Sequence, residues 1–142
     1  MKYSLDTNTC IRAINGRVPE VRSRLLRVPA KDVVVCAIVR AELYAGASKS
    51  QTPIQTHARN NAFLLAFSSL PFDDHAVQYY GTLRSALEKS GTPIGPLDML
   101  IAAIALAHDL ILVTHNTSEF GRIAGLRLED WDCLLYTSDA AD

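Results

Sequence analysis

The sequence predicts one α/β domain built on a mostly parallel sheet sandwiched between helices, and two observations carry this. Short apolar runs suited to buried strands occur at Tyr3–Leu5, Val33–Cys36, Leu110–Val113 and Leu126–Leu128. The stretches between them space their apolar residues as helices do. Strands that alternate with helices are the mark of a parallel sheet with covered faces, and 142 residues suit a single core.

The elements follow in order. After the first strand, Val18, Val21, Leu25 and Leu26 recur at helical spacing. The stretch from Ile38 to Ser69 is expected to hold two helices, broken near Ser50–Pro53. A further helix is expected over His75–Lys89, with Val77, Tyr80, Leu83 and Leu87 on one stripe and a stop at Ser90-Gly91-Thr92-Pro93. Residues 95–107, GPLDMLIAAIALA, make an almost wholly apolar helix entered through Pro96. The last ten residues, CLLYTSDAAD, continue no pattern, so the domain is expected to span 1–132 and 133–142 to be an appended, non-native or disordered tail.

Composition narrows the function classes. Hydrophobic residues make up 49% and charged residues 20%, the balance of a soluble globular domain. The longest uninterrupted apolar run, Met99–Ala107, is about half of the ~18–20 residues a membrane span needs. No signal-peptide pattern opens the chain, because Asp6 interrupts the first apolar residues. Cys10, Cys36 and Cys133 form no CxxC pair and are expected as free thiols in a reducing cytoplasm. A net charge of −1 advertises no global nucleic-acid field. Locally, Arg12, Arg17, Arg22, Arg24, Arg27 and Lys31 stand against Glu20 alone, a segment that can attract phosphates.

In a parallel α/β sheet the functional cleft lies beyond the carboxyl ends of the strands. Asp6 directly follows the first strand, Glu42 sits early in the helix after VVVC, and Thr114, Asn116 and Glu119 follow LILV. Asp98 opens the apolar helix. Each acid also has a plain structural explanation: Asp6 as a helix cap, Glu42 and Glu119 as solvated residues, Asp98 as a partner of the helix dipole. Asp98 strains its explanation most, because Ile101 and Ala102 make its own face apolar and no Lys or Arg lies between Lys89 and Arg122. A carboxylate in such surroundings must pair, take up a proton or bind a cation, since an uncompensated buried charge costs several kcal/mol. Hard divalent cations such as Mg²⁺ or Mn²⁺ take oxygen ligands, and the other strand-end acids can supply them. That chemistry suits phosphodiester hydrolysis. His57, His75, His108 and His115 form no zinc pattern, and His115 is expected as a loop residue. There is no GxSxG, GxxxxGK[ST] or GxGxxG.

With LDTNTCI at 5–11, RAELYAGA at 40–47, GTPIGPLDMLIAAIAL at 91–106 and LILVTHNTSEFGRIAGLRLEDW at 110–131, the chain resembles the PIN-domain ribonucleases, and among them the VapC toxins of toxin–antitoxin pairs, enteric type. The resemblance implies a PIN-like three-layer fold, with four to five strands in a central mostly parallel sheet. It implies a Mg²⁺- or Mn²⁺-dependent endoribonuclease that inhibits translation by cutting RNA, with initiator tRNA in its anticodon loop as the target. Asp6, Glu42, Asp98 and Glu119 would hold the metal and carry catalysis, and Thr114, Asn116 and Asn8 would support them by hydrogen bonds. Many family members carry an acid where this sequence has Asn116, a gap that Glu119 can fill. Arg12, Arg17 and Arg22 would meet the RNA. The resemblance further implies a VapB-type antitoxin, a homodimer, and operator DNA reached only through the antitoxin. The competing reading is a catalytically inactive PIN-like module that binds RNA or regulates; the complete set of acids argues against it.

Overall fold

The computed structural model describes residues 1–132; Cys133 and the expected tail over 133–142 lie outside the described residues. Strand β1 (Tyr3–Leu5) leads into helices α1 (Thr7–Asn15) and α2 (Pro19–Arg27). A 3-10 turn (Ala30–Asp32) precedes β2 (Val33–Val34), then come α3 (Ala37–Lys49), α4 (Pro53–Leu64), α5 (Asp74–Ser90) and α6 (Pro96–Ala107). Strand β3 (Ile111–Val113), the single turn α7 (Thr117–Phe120) and β4 (Leu128–Glu129) complete the described chain.

The four strands form one sheet in the order β2-β1-β3-β4, every pair parallel. Tyr3 stands opposite Val33 on one side and Ile111 on the other, and Leu112 pairs with Leu128. Every residue of β1, β2 and β3 is buried, so both faces of the sheet are covered, as the apolar runs without alternation require. The fold is thus the expected helix-flanked parallel α/β sheet.

Local chemistry explains the boundaries. Pro19, Pro53 and Pro96 each stand in the first turn of a helix, where the missing N–H costs nothing. The break between α3 and α4 falls where Ser50–Pro53 predicts it. Helix α1, which lay outside the expected elements, begins directly after β1, where Asp6 caps it. It ends at Gly16, whose φ of 71° is the left-handed conformation that favours glycine.

Three expectations shift. The second strand stops at Val34, because the Val35 N–H turns to Ser68 O and Cys36 becomes the N-cap of α3. The last strand is Leu128–Glu129 rather than Leu126–Leu128, since Leu126 still belongs to a turn closed on Ile123 O. On α5 the buried stripe is Ala76, Leu83 and Leu87, while Val77 is exposed.

Helix α6 buries Met99 and every residue from Ile101 to Ala105, which makes it a central support of the core. Burial of an Ile or Met side chain contributes roughly 1.5–3 kcal/mol each. The end of β4 is tied to α2 by a buried pair, Arg24 to Glu129 at 3.4 Å. Glu129 also accepts from Trp131 Nε1 at 2.9 Å, and Trp131 meets Tyr3 edge-on with ring centroids 5.2 Å apart. Part of the basic segment is therefore structural.

Candidate active site

Strands β1 and β3 are parallel neighbours, so their carboxyl ends open at the same edge of the sheet. Asp6 leaves β1 with its N–H on Val113 O at 3.1 Å. Its carboxylate Oδ1 accepts the Thr9 N–H at 2.8 Å, and the residue is only 6% exposed. Thr114 leaves β3 fully buried, its N–H donated to Glu129 O and its Oγ1 accepting the Asn116 N–H at 2.9 Å. The Asn116 side-chain amide in turn donates to Glu119 Oε2. Glu42, in the second turn of α3, accepts the Thr7 hydroxyl at 2.6 Å. Asp6 and Glu119 are thus each held by a donor three residues away, and Glu42 by one from a distant part of the chain.

Asp98 differs. It lies in the first turn of α6 with its Oδ2 folded toward Gly95, where an added Cβ would stand 3.3 Å away. Burial, then the negative charges of Glu42, Asp6 and Glu119, push its pKa up to about 6. The four acids therefore share one electrostatic field, although they come from four separate segments. Among the described residues no basic side chain pairs with Asp98. A carboxylate of raised proton affinity among like charges is the setting in which a divalent cation replaces the proton. The donor set, all carboxylate oxygens, matches a hard ion such as Mg²⁺ or Mn²⁺.

A second group lies beside it. His115 Nδ1 is 2.8 Å from Asp130 Oδ2 and 3.7 Å from Asp132 Oδ2, and Arg12 Nε is 3.0 Å from Asp132 Oδ2. Among the described residues, His115, Asp130 and Asp132 are the group whose ligand atoms gather within 4.8 Å. Among the described residues, no three of the four predicted acids come that close. Proximity alone does not make the tighter group a metal centre: the Arg12 guanidinium and the His115 ring already satisfy both carboxylates.

Asp6, Asn8, Arg12, His115 and Asn116 line a cleft of about 190 Å³. The basic candidates divide. Arg12 faces this cleft, Arg17 is exposed, and Arg22 donates to Ala13 O and Ile14 O, closing the end of α1. His115 lies in the bend between β3 and α7, the loop residue expected, and it lines the cleft as well. Thr7, Asp130 and Asp132 did not stand out in the sequence. Asp130 follows β4 as Asp6 follows β1, so a correct end for the last strand would have exposed it. Cys10 and Cys36 are free and buried as expected, and burial first, then the Asp6 charge, pushes the Cys10 thiol well up, away from reactivity.

A PIN domain model matches residues 3–126. This chain belongs to the PIN-domain family, among the VapC proteins. A tRNA(fMet)-specific endonuclease VapC from Shigella flexneri is 39% identical over 131 residues, 92% of this chain and 98% of that protein. Ribonuclease VapC2 from Rickettsia felis is 42% identical over 134 residues, 93% and 99% of the two chains. The structure of DNA-bound VapBC from Salmonella typhimurium contains a chain that superposes with a TM-score of 0.87 at 37% identity, covering 92% of this VapC-family chain and 98% of that one. Among the described residues of this VapC-family PIN domain, no helix is long and apolar enough to cross a membrane.

Proposed function

We propose that this protein is the toxin of a VapBC pair, an endoribonuclease that cuts tRNA, the initiator tRNA first among candidates, and so stops translation. The observation that supports this reading best is Asp98. It is a carboxylate on a core helix, pressed by three other acids and matched by no basic partner among the described residues. The relatives named as tRNA(fMet)-specific endonuclease and ribonuclease support the substrate class.

Asp6, Asp98, Glu42 and Glu119 are the residues that would hold Mg²⁺ or Mn²⁺. Bound there, such an ion supplies a water of lowered pKa and offsets negative charge on the phosphate. The chain's own part is orientation: Thr7 fixes Glu42, Asn116 fixes Glu119, and Thr114 fixes the Asn116 backbone. Asn8 and Arg12 line the cleft with Asp6 and would meet the RNA backbone there.

A VapB-type antitoxin fits the groove of about 560 Å³ lined by Ile14, Leu25, Leu26, Phe63 and Phe67. Ile14 and Arg59 of that groove also line the pocket that contains Glu42, so a peptide there can reach an acid of the site. The DNA-bound VapBC structure supports operator contact by the complex.

The test is cleavage of initiator tRNA by purified protein with Mg²⁺, against Asp6→Ala and Asp98→Ala. The wild type cuts and both variants are silent. Full cleavage by both variants refutes the assignment. Metal and RNA binding without cleavage by the wild type would instead favour the inactive module.

A further inference from the structure

Asp130 and His115 form a pair that the metal chemistry does not use. Asp130 is buried at the end of β4, and its Oδ2 meets His115 Nδ1 at 2.8 Å. A carboxylate only accepts hydrogen bonds, so Nδ1 carries the hydrogen and the tautomer is set by the fold. Nε2 is then the ring nitrogen left for a ligand. The side chain is 56% exposed and lines the cleft with Asp6, Asn8, Arg12 and Asn116.

The ligand follows from donor and acceptor matching. A neutral ring presents Nε2 as an acceptor, and a phosphate oxygen has no hydrogen to give it. A ribose 2′-hydroxyl both donates and accepts, so it matches the ring in either protonation state, and it is the group that separates RNA from DNA. Arg12 sits in the same cleft, anchored through Nε by Asp132 at 3.0 Å, and presents positive charge beside the ring. Sugar and phosphate contacts thus lie side by side, next to Asp6.

We propose that His115, aimed by Asp130, reads a ribose 2′-hydroxyl next to the scissile phosphate and makes this cleft selective for RNA. The proposal rests on the ribonuclease reading of the site and adds its specificity element. His115 is the contacting residue, and Asp130 is a positioning residue that acts through it.

The experiment uses an initiator-tRNA anticodon stem-loop RNA and a series of the same hairpin with one 2′-deoxynucleotide at each position in turn. Cleavage is followed in the wild type, His115→Ala, His115→Gln and Asp130→Asn. Binding is followed in the same set on an Asp98→Asn background, where chemistry is silent. One deoxy position is expected to weaken wild-type binding and cleavage about tenfold. His115→Ala loses about as much on the all-ribose hairpin and nothing more on that deoxy hairpin. Gln, which can donate and accept, recovers part of the loss, and Asp130→Asn falls between wild type and His115→Ala at unchanged Tm. Losses that multiply, with His115→Ala weakening ribose and deoxy hairpins equally, overturn the sugar contact while leaving the nuclease reading in place. A wild type that cuts no hairpin overturns the nuclease reading, and the binding series still decides the sugar contact.

Discussion

Asp98 concentrates the physics of the site in one side chain. Its proton affinity is raised in the folded protein, so the native state binds a proton more tightly than the unfolded chain. Without metal, stability is therefore expected to fall as pH rises from about 4 toward about 6, where Asp98 ionises among Glu42, Asp6 and Glu119. Thermal unfolding of metal-free protein across that range reads this out, and Asp98→Asn is expected to flatten the slope. An unchanged slope in the variant would assign the pH dependence elsewhere. Asp6 has two roles, because the carboxylate that faces the cleft also caps α1. Loss of the cap in Asp6→Ala is expected to cost about 1 kcal/mol, whereas Asp6→Asn keeps a capping oxygen. Both variants should be silent in cleavage, and denaturant titration should separate them. Removal of Asp6 is therefore not structurally neutral.

Among the elements, α1 joins the strand end to the rest of the site. It begins on Asp6, carries Thr7 to Glu42 and Arg12 to Asp132, and closes on Gly16. A Cβ at Gly16 would adopt a disfavoured φ and stand 2.9 Å from Arg22 Nη1, the guanidinium that covers the last carbonyls of α1. Gly16→Ala is expected to destabilise by about 1–2 kcal/mol, measured by chemical denaturation. Thr7→Val removes the hydroxyl that aims Glu42 and leaves the acid itself. Loss of such an orienting hydrogen bond is expected to lower metal affinity or cleavage about 10- to 100-fold. Metal titration with Mn²⁺ checks this, and wild-type affinity in the variant would show that Glu42 needs no guide. Helix α1 was missed beforehand although Cys10, Ala13 and Ile14 stand at helical spacing, because it is short and its start is signalled by one capping residue that reads equally well as a catalytic acid.

For the whole molecule, binding by the folded state alone is a stability term. Mg²⁺ at a hundredfold excess over its Kd is expected to stabilise by about 2.7 kcal/mol, seen as a rise in Tm that Asp98→Asn abolishes. The Arg24–Glu129 pair belongs to the same scale, since it ties α2 to the last strand through the core. Arg24→Met takes the positive charge away from a buried carboxylate and is expected to cost about 3–5 kcal/mol without a direct effect on the cleft. Denaturant unfolding, beside cleavage per folded molecule, separates these effects.

The sequence by itself determined the class of the fold and the order of its four strands along the chain, and it singled out Asp6, Glu42, Asp98 and Glu119 as candidates. Apolar periodicity and strand-end location are local properties, written in consecutive residues. Only the tertiary structure decided that Thr7 aims Glu42, that Arg24 ties the scaffold to Glu129 rather than facing the surface, and that His115 is paired with Asp130. Those facts join residues far apart in the chain, and the folded core alone brings their atoms within hydrogen-bond reach.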